Sequence, residues 1–263
     1  MQYKQIKVDS LLNKITNKDS LFLGNYIIDP YQNCEFGCLY CDSSFDKTIY
    51  VKTNALDILK KELKKSKKGT IIIGSVHDPY QKAEKEFRIT RELLGIIKEH
   101  NYPCHILTKS NLVLRDVDIL SKINNSLVTI SITSLKPQIS KIFEKNVIKP
   151  IERLNTIEKL SGKDIKTGLA VLPILPYITD IELEKIVKSA KKHKAHYLVY
   201  KYLELKGDQK HIFMKILEDK YPNLVEKYKR LYKDSYKPSN SYILKINSIF
   251  KKMCNEYKLK NKI

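Results

Sequence analysis

Short runs of aliphatic and β-branched residues alternate, over the first 205 residues, with longer stretches in which apolar side chains recur at i, i+3, i+4 and i+7. The runs NYIID, TIIIGSV from Thr70, CHILT from Cys104, SLVTISIT from Ser126, KTGLAVLPIL from Lys166 and HYLVYKYLEL from His196 predict six strands. Between them, ALDILKKELKK, FRITRELLGIIKEH, DVDILSKI, PIERLNTIEKL and DIELEKIVKSAKKH predict helices that bury one face. Repeated strand–helix units build a parallel sheet, because each helix returns the chain to the same end of the sheet. Right-handed crossovers then predict an α/β fold, a partial (β/α)6 TIM-like barrel, left open because eight units are needed for closure. A doubly wound sheet is the alternative. Beyond Leu205, KGDQKHIFMKILEDKYPNLVEKYKRLY and SYILKINSIFKKMCNEYKL are helical with no strand between them. The expected organisation is a barrel core over residues 1–205 and a C-terminal helical extension over 206–263, packed across the open side by its apolar face.

Composition narrows the setting. A chain of 263 residues buries a large core without disulfides. Its five cysteines are odd in number and clustered, which fits a reducing compartment. The opening MQYKQIKVDS lacks an apolar signal core, and no later apolar run approaches the roughly 18 residues of a membrane span, so a cytoplasmic protein with no membrane association is expected. The formal net charge of +20 suggests nucleic acid. Yet only Arg88, Arg91, Arg115, Arg153 and Arg230 are arginine, and lysine runs such as Lys60 to Lys68 lie at helical spacing, which is more often a solvated helix face than a nucleic-acid site.

Chemistry concentrates after the first strand. In IDPYQNCEFGCLYCDSSF, Cys34, Cys38 and Cys41 form a C-x3-C-x2-C loop at the C-terminal end of a barrel strand, where such folds assemble active sites. Three thiolates select an iron–sulfur cluster, zinc or copper(I). Structural zinc wants a fourth ligand with its own paired spacing, whereas Cys104 and Cys254 are isolated. Three thiolates with an open position suit a 4Fe–4S cluster whose fourth iron binds something else.

The triplet with Tyr40 before its last cysteine resembles the signature of the radical S-adenosylmethionine (SAM) superfamily, and the surrounding blocks are similar to its spore photoproduct lyase-like branch. Those blocks include VDSLLNKI, IDPYQNCEFGCLYC, IGSVHDPYQKAEKEFRITRELL, HILTKSNLVLRDVDIL, VTISITSL, ERLNTIEKL and LAVLPILPYITD. The resemblance implies that Cys34, Cys38 and Cys41 hold three irons of a 4Fe–4S cluster while SAM chelates the fourth. Reductive cleavage of SAM would yield methionine and a 5'-deoxyadenosyl radical that abstracts hydrogen from a substrate. It implies SAM contacts from Tyr40 at the adenine, Ser75 at the amino group and Lys109 at the carboxylate, with Ser131 and Leu172 at the same level of the barrel mouth. Ser75 stands in GSV where other branches carry glycine-glycine-glutamate, which leaves the amino-group donor open.

HDPYQKAEKEFRITRELL brings His77, Asp78, Tyr80, Gln81, Glu84, Arg88 and Arg91 to the mouth and its following helix, as a candidate substrate- or SAM-positioning loop. Asp78 and Tyr80 are its candidate substrate contacts, and a pairing of Asp78 or Glu84 with Arg88 or Arg91 would be purely structural. Glu144 and Arg153 lie in the fourth crossover with no role assigned. The catalytic residue is undetermined: the hydrogen-donating cysteine of the DNA-repair enzymes has no evident counterpart in Cys104, which reads as a core residue, or in Cys254. Two leftover cysteines are too few for a second all-cysteine cluster. The expected partners are a nucleic acid substrate and a low-potential electron donor such as ferredoxin or flavodoxin. The alternatives are a radical SAM enzyme acting on a small molecule or protein, and a non-catalytic zinc or interaction protein.

Overall fold

The structure, a computed structural model, describes residues 1–16, 21–44 and 46–263. Its main sheet has seven strands in the order β10-β9-β8-β7-β6-β3-β2. These are β2 (Asn13–Lys14), β3 (Tyr26–Ile28), β6 (Ile71–Ile73), β7 (Cys104–Thr108), β8 (Leu127–Ser131), β9 (Lys166–Ile174) and β10 (Tyr197–Tyr202). All neighbours pair in parallel except β2, which is antiparallel to β3. The parallel strands are the six predicted ones, and they are laid down in sequential order. A doubly wound sheet would reverse direction partway through; this one never does, and it curves into the partial barrel.

The run III of β6 is buried on both faces, as a strand between barrel interior and helices must be. The crossovers carry α1 (Ala55–Leu63), α2 (Ala83–Phe87), α3 (Ile89–Glu99), α4 (Val117–Leu120), α5 (Pro137–Phe143), α6 (Pro150–Ser161) and α7 (Leu183–Lys192). Pro137 and Pro150 sit in the first turns of α5 and α6, where a missing N–H costs nothing. The segment DVDILSKI is helical only over Val117–Leu120 and is entered through a 3-10 turn, Asn111–Asp116, capped by Ser110, whose hydroxyl accepts from Leu112 N at 3.2 Å.

A second small sheet has no counterpart in the sequence reading: β1 (Gln2–Ile6) runs parallel to β5 (Thr48–Lys52), and β4 (Tyr31–Gln32) pairs antiparallel on its other side. It is tied to the cysteine segment, Asn33 Nδ2 donating to Thr48 O at 2.9 Å and Tyr3 Oη to Glu35 at 2.7 Å. Beyond β10 come α8 (Gly207–Lys220), α9 (Val225–Tyr232) and α10 (Asn240–Glu256). Phe250 of α10 stacks on Tyr200 at 3.9 Å between ring centroids, and Leu198 N of edge strand β10 donates to Lys260 O at 2.8 Å. The C-terminal segment thus covers an edge that would otherwise expose unpaired backbone groups. Among the described residues no helix is long and apolar enough to cross a membrane.

Candidate cofactor site

The cysteine segment leaves β3 and is shaped by two left-handed residues, Asn33 (φ 68°) and Gly37 (φ 64°). Its first half is held by the β6–α2 loop. Gln81, fully buried, accepts from Glu35 N at 2.9 Å and donates to Asn33 O at 3.0 Å, clamping the backbone on both sides of Cys34. Glu35 fastens the same stretch outward, accepting from Ala83 N at 2.8 Å and Tyr3 Oη at 2.7 Å. The second half is held by the β8–α6 crossover: Leu39 N donates to Phe143 O at 2.9 Å, and Tyr40 Oη donates to Glu144 at 2.5 Å. Glu144 is itself paired with Arg153 at 2.6 Å, both side chains being fully buried. From α8, Gln209 donates to Tyr40 O at 2.8 Å. Four separated parts of the chain therefore fix one loop.

Above that loop lies a cavity of about 730 Å³ at the C-terminal ends of the strands. Cys34, Cys38, Cys41, Tyr40, Ser75, Asp78, Lys109, Ser131 and Leu172 all line it, which brings every predicted cluster and SAM residue to one cavity. Gly74 allows the tight turn after β6: its φ is +91°, and a Cβ there would stand 2.4 Å from Leu107 O. Ser75 follows, with a buried hydroxyl that has no hydrogen-bond partner among the described residues. Lys109 makes no ion pair with a described carboxylate and lies 5.9 Å from the Tyr40 ring centre. Burial alone would lower its pKa, but the neighbouring acidic groups, Cys38 in its ionised form and the carboxylates of Glu144 and Asp78, outweigh that and hold the ammonium above its ordinary range. Ser131 is largely committed to the frame, its carbonyl accepting from Arg153 at 2.8 Å and its hydroxyl donating weakly to Leu172 O at 3.4 Å.

Asp78 lines the cavity, yet its carboxylate is engaged by Thr108 Oγ1 and Lys109 N, both at 2.7 Å, and by Tyr80 N at 2.9 Å. It sets the pose of the strand end that carries Lys109. Tyr80 does not reach the cavity: it is buried, its hydroxyl donating to Asp116 at 3.0 Å. His77 turns to a separate shallow hollow beside Asp29 and Lys52. The ion pairs of this region also differ from the sequence expectation. Glu84 pairs with Arg115, and Arg91 with Asp116 and Asp118, so Arg88 is in neither pair. Cys104 is a buried strand residue. The sequence placed Gln81 only within a candidate positioning loop and assigned Glu144 and Arg153 no role, and it carried no signal that Tyr200, Lys201, Tyr202 and Asn247 also line the cavity.

The donor set fits a three-thiolate cluster. Burial pushes the Cys34 thiol up to about 12 and Cys38 higher still, so at neutral pH these thiols await a metal that displaces their protons. The orphaned Ser75 hydroxyl and the unpaired Lys109 ammonium supply what a zwitterionic amino-acid moiety needs: an acceptor for its ammonium and a cation for its carboxylate.

Comparison with known proteins agrees with this geometry. The Radical SAM superfamily profile matches residues 28–190. An uncharacterized protein of Methanocaldococcus jannaschii is 30% identical over 211 residues, spanning 76% of this chain and 78% of its own. An uncharacterized protein of Mycobacterium tuberculosis H37Rv is 26% identical over 251 residues, spanning 88% and 74%. Among solved structures, spore photoproduct lyase complexed with dinucleoside spore photoproduct superposes with a TM-score of 0.72 at 17% identity, over 96% of this chain and 79% of that one. A variant of that enzyme with bound AdoMet and dinucleoside spore photoproduct gives 0.71 at 15% identity, over 92% and 76%. At these identities the likeness establishes the fold. The superfamily uses a 4Fe–4S cluster and SAM, and the residues at this barrel mouth fit both. The chain belongs to the radical SAM superfamily.

Proposed function

We propose that this protein cleaves SAM reductively at a 4Fe–4S cluster held by Cys34, Cys38 and Cys41, and uses the resulting radical on a nucleic acid or nucleotide. The observation that carries the first part is the convergence of the three thiols, the orphaned Ser75 hydroxyl and the unpaired Lys109 in one cavity at the strand ends. When bound, cluster and SAM supply a 5'-deoxyadenosyl radical that abstracts hydrogen. The chain's own part is to hold and aim. Lys109 neutralises the SAM carboxylate, Ser75 accepts from its ammonium, Tyr40 and Leu172 flank the adenine, and Ser131 closes that side. Residues 1–205 form the catalytic core, and 206–263 an extension that completes the cavity. Electrons come from a low-potential carrier such as ferredoxin or flavodoxin.

The nucleic acid reading is supported by the net charge of +20, by lysine and tyrosine at the cavity rim, and by likeness to an enzyme whose solved complexes hold a dinucleoside lesion. Anaerobic reconstitution with iron and sulfide, dithionite reduction and chromatographic assay of 5'-deoxyadenosine test the reaction. Cys38→Ala should abolish the product. Retained cleavage in that variant would exclude the assignment. Oligonucleotide binding should weaken steeply with salt, because phosphate contacts release counterions; weak, non-saturating binding would redirect the search to small molecules or proteins.

A further inference from the structure

The cavity has a wall that the proposed SAM contacts leave unused. It is made by Tyr200, Lys201 and Tyr202 of β10 together with Asn247 of α10. Regular strand alternation would turn the middle of three consecutive residues away from the cavity. Here all three line it, and the pairing register of β10 with β9 shifts at this point, between Tyr200 and Tyr202. Irregularities of this kind next to active sites re-aim side chains.

The wall is also ordered. Tyr200 is stacked on Phe250 and donates its hydroxyl to Asn247 Oδ1 at 2.8 Å. That bond commits the amide oxygen and so orients the Nδ2 group, which has no partner among the described residues, as a pair of donors. Tyr202 is half-buried, and its side chain has neither a ring contact nor a hydrogen bond among the described residues, although it lines the cavity. Lys201 shares Glu204 with Lys206, each ammonium 3.1 Å from the carboxylate. One carboxylate between two ammoniums leaves a net positive charge at the rim.

Resting on the function proposed above, we infer that this wall is the substrate-recognition surface and that it takes a nucleotide in single-stranded or unpaired form. Tyr202 supplies the stacking face for a base, Lys201 meets the backbone phosphate, and the Asn247 amide donates to an acceptor on the base edge. A ring beside a cation is the combination that binds single strands, since every base has a π-face and every link a phosphate. A base inside a duplex could not enter a barrel mouth of this size without leaving its stack. The last helix of the chain is thereby part of the active site.

The test is fluorescence anisotropy of fluorescein-labelled oligothymidine with the full-length protein, beside thermal melting of each variant as a control for folding. Tyr202→Ala should weaken binding about tenfold or more, while Tyr202→Phe keeps it, because stacking needs the ring and not the hydroxyl. Lys201→Gln should reduce the slope of log K against log salt by about one. Asn247→Ala should weaken binding while Tyr200→Phe, which frees the amide but keeps it, weakens it less. Variants that fold and bind like the wild type would overturn the inference while leaving the nucleic acid reading intact. Absence of saturable binding by the wild type would overturn that reading, and the inference with it.

Discussion

Removing the carboxylate of Glu144 should destabilise the whole protein by an amount the structure lets one work out. Glu144 accepts from Arg153 at 2.6 Å, Tyr40 at 2.5 Å, Thr133 at 3.1 Å and Ser140 at 3.2 Å. Arg153 is fully buried, and its other bonds go to Ser131 O and Ser140 Oγ, which carry no charge. Glu144→Ala therefore strands a buried guanidinium without a counter-ion, a loss of about 3–5 kcal/mol. That is a large part of a native stability of about 5–15 kcal/mol. At roughly 2–4 °C per kcal/mol for a chain of this size, the midpoint should fall by about 6–20 °C. Thermal melts followed by far-UV circular dichroism read it. The double variant Glu144→Leu with Arg153→Met should recover much of the loss, since removing both partners removes the unpaired charge.

The pH dependence has a definite sign. Burial alone would raise the Glu144 carboxyl, but Arg153, Lys109 and the Tyr40 hydroxyl outweigh it and hold it below its ordinary value. A depressed carboxyl contributes stability above its unfolded pKa of about 4.3 and loses it as pH falls through the folded value. The gap between wild type and Glu144→Ala should therefore be full at neutral pH and narrow in acid. A midpoint shift at neutral pH below the roughly 2 °C expected for one kcal/mol would refute the reasoning.

Three further outcomes follow from the same geometry. Lys109→Met should weaken SAM binding to the reconstituted protein by about tenfold to a hundredfold, the worth of a charged hydrogen bond, read by equilibrium dialysis; unchanged affinity would remove Lys109 from the site. Gln81→Leu leaves the Glu35 N–H and the Asn33 carbonyl unmet beside Cys34, so iron retained after gel filtration should fall and the electron paramagnetic resonance signal of the reduced cluster should broaden, with wild-type values in both counting against the clamp. Gly168→Ala would put a Cβ 2.1 Å from the Tyr197 ring, which is held in the core by a 2.7 Å bond between its hydroxyl and Thr129, and should cost about 1–3 kcal/mol or more in a denaturant melt.

Much of the fold was legible because it rests on local pattern. The strands β3 and β6 to β10 bury both faces or one, and each lies within the apolar run that predicted it; amphipathic periodicity marked α1, α3, α6 and α7 in the same way. The thiol triplet was legible because its spacing is itself the chemistry. What escaped was non-local. The small sheet joins Gln2–Ile6 to Thr48–Lys52, whose alternation is too short to stand out until the partner strand supplies the hydrogen bonds. Tyr80 looked like a loop residue free to meet substrate, and only the approach of Asp116, 36 positions away, buries it.

Hydrophobic period and ligand spacing are written in neighbouring residues, so an open parallel barrel of strand–helix units, with three thiols at the C-terminal end of its first strand, could be read along the chain. Which side chains hold that loop, and which face the cavity, came only from the packing of distant segments. Gln81, Glu144 and Gln209 reach the cysteine segment from 46, 104 and 169 positions away, and Asn247 meets Tyr200 across 47. Such contacts depend on how crossovers of different length bring distant elements together, and no periodicity along the chain records that distance.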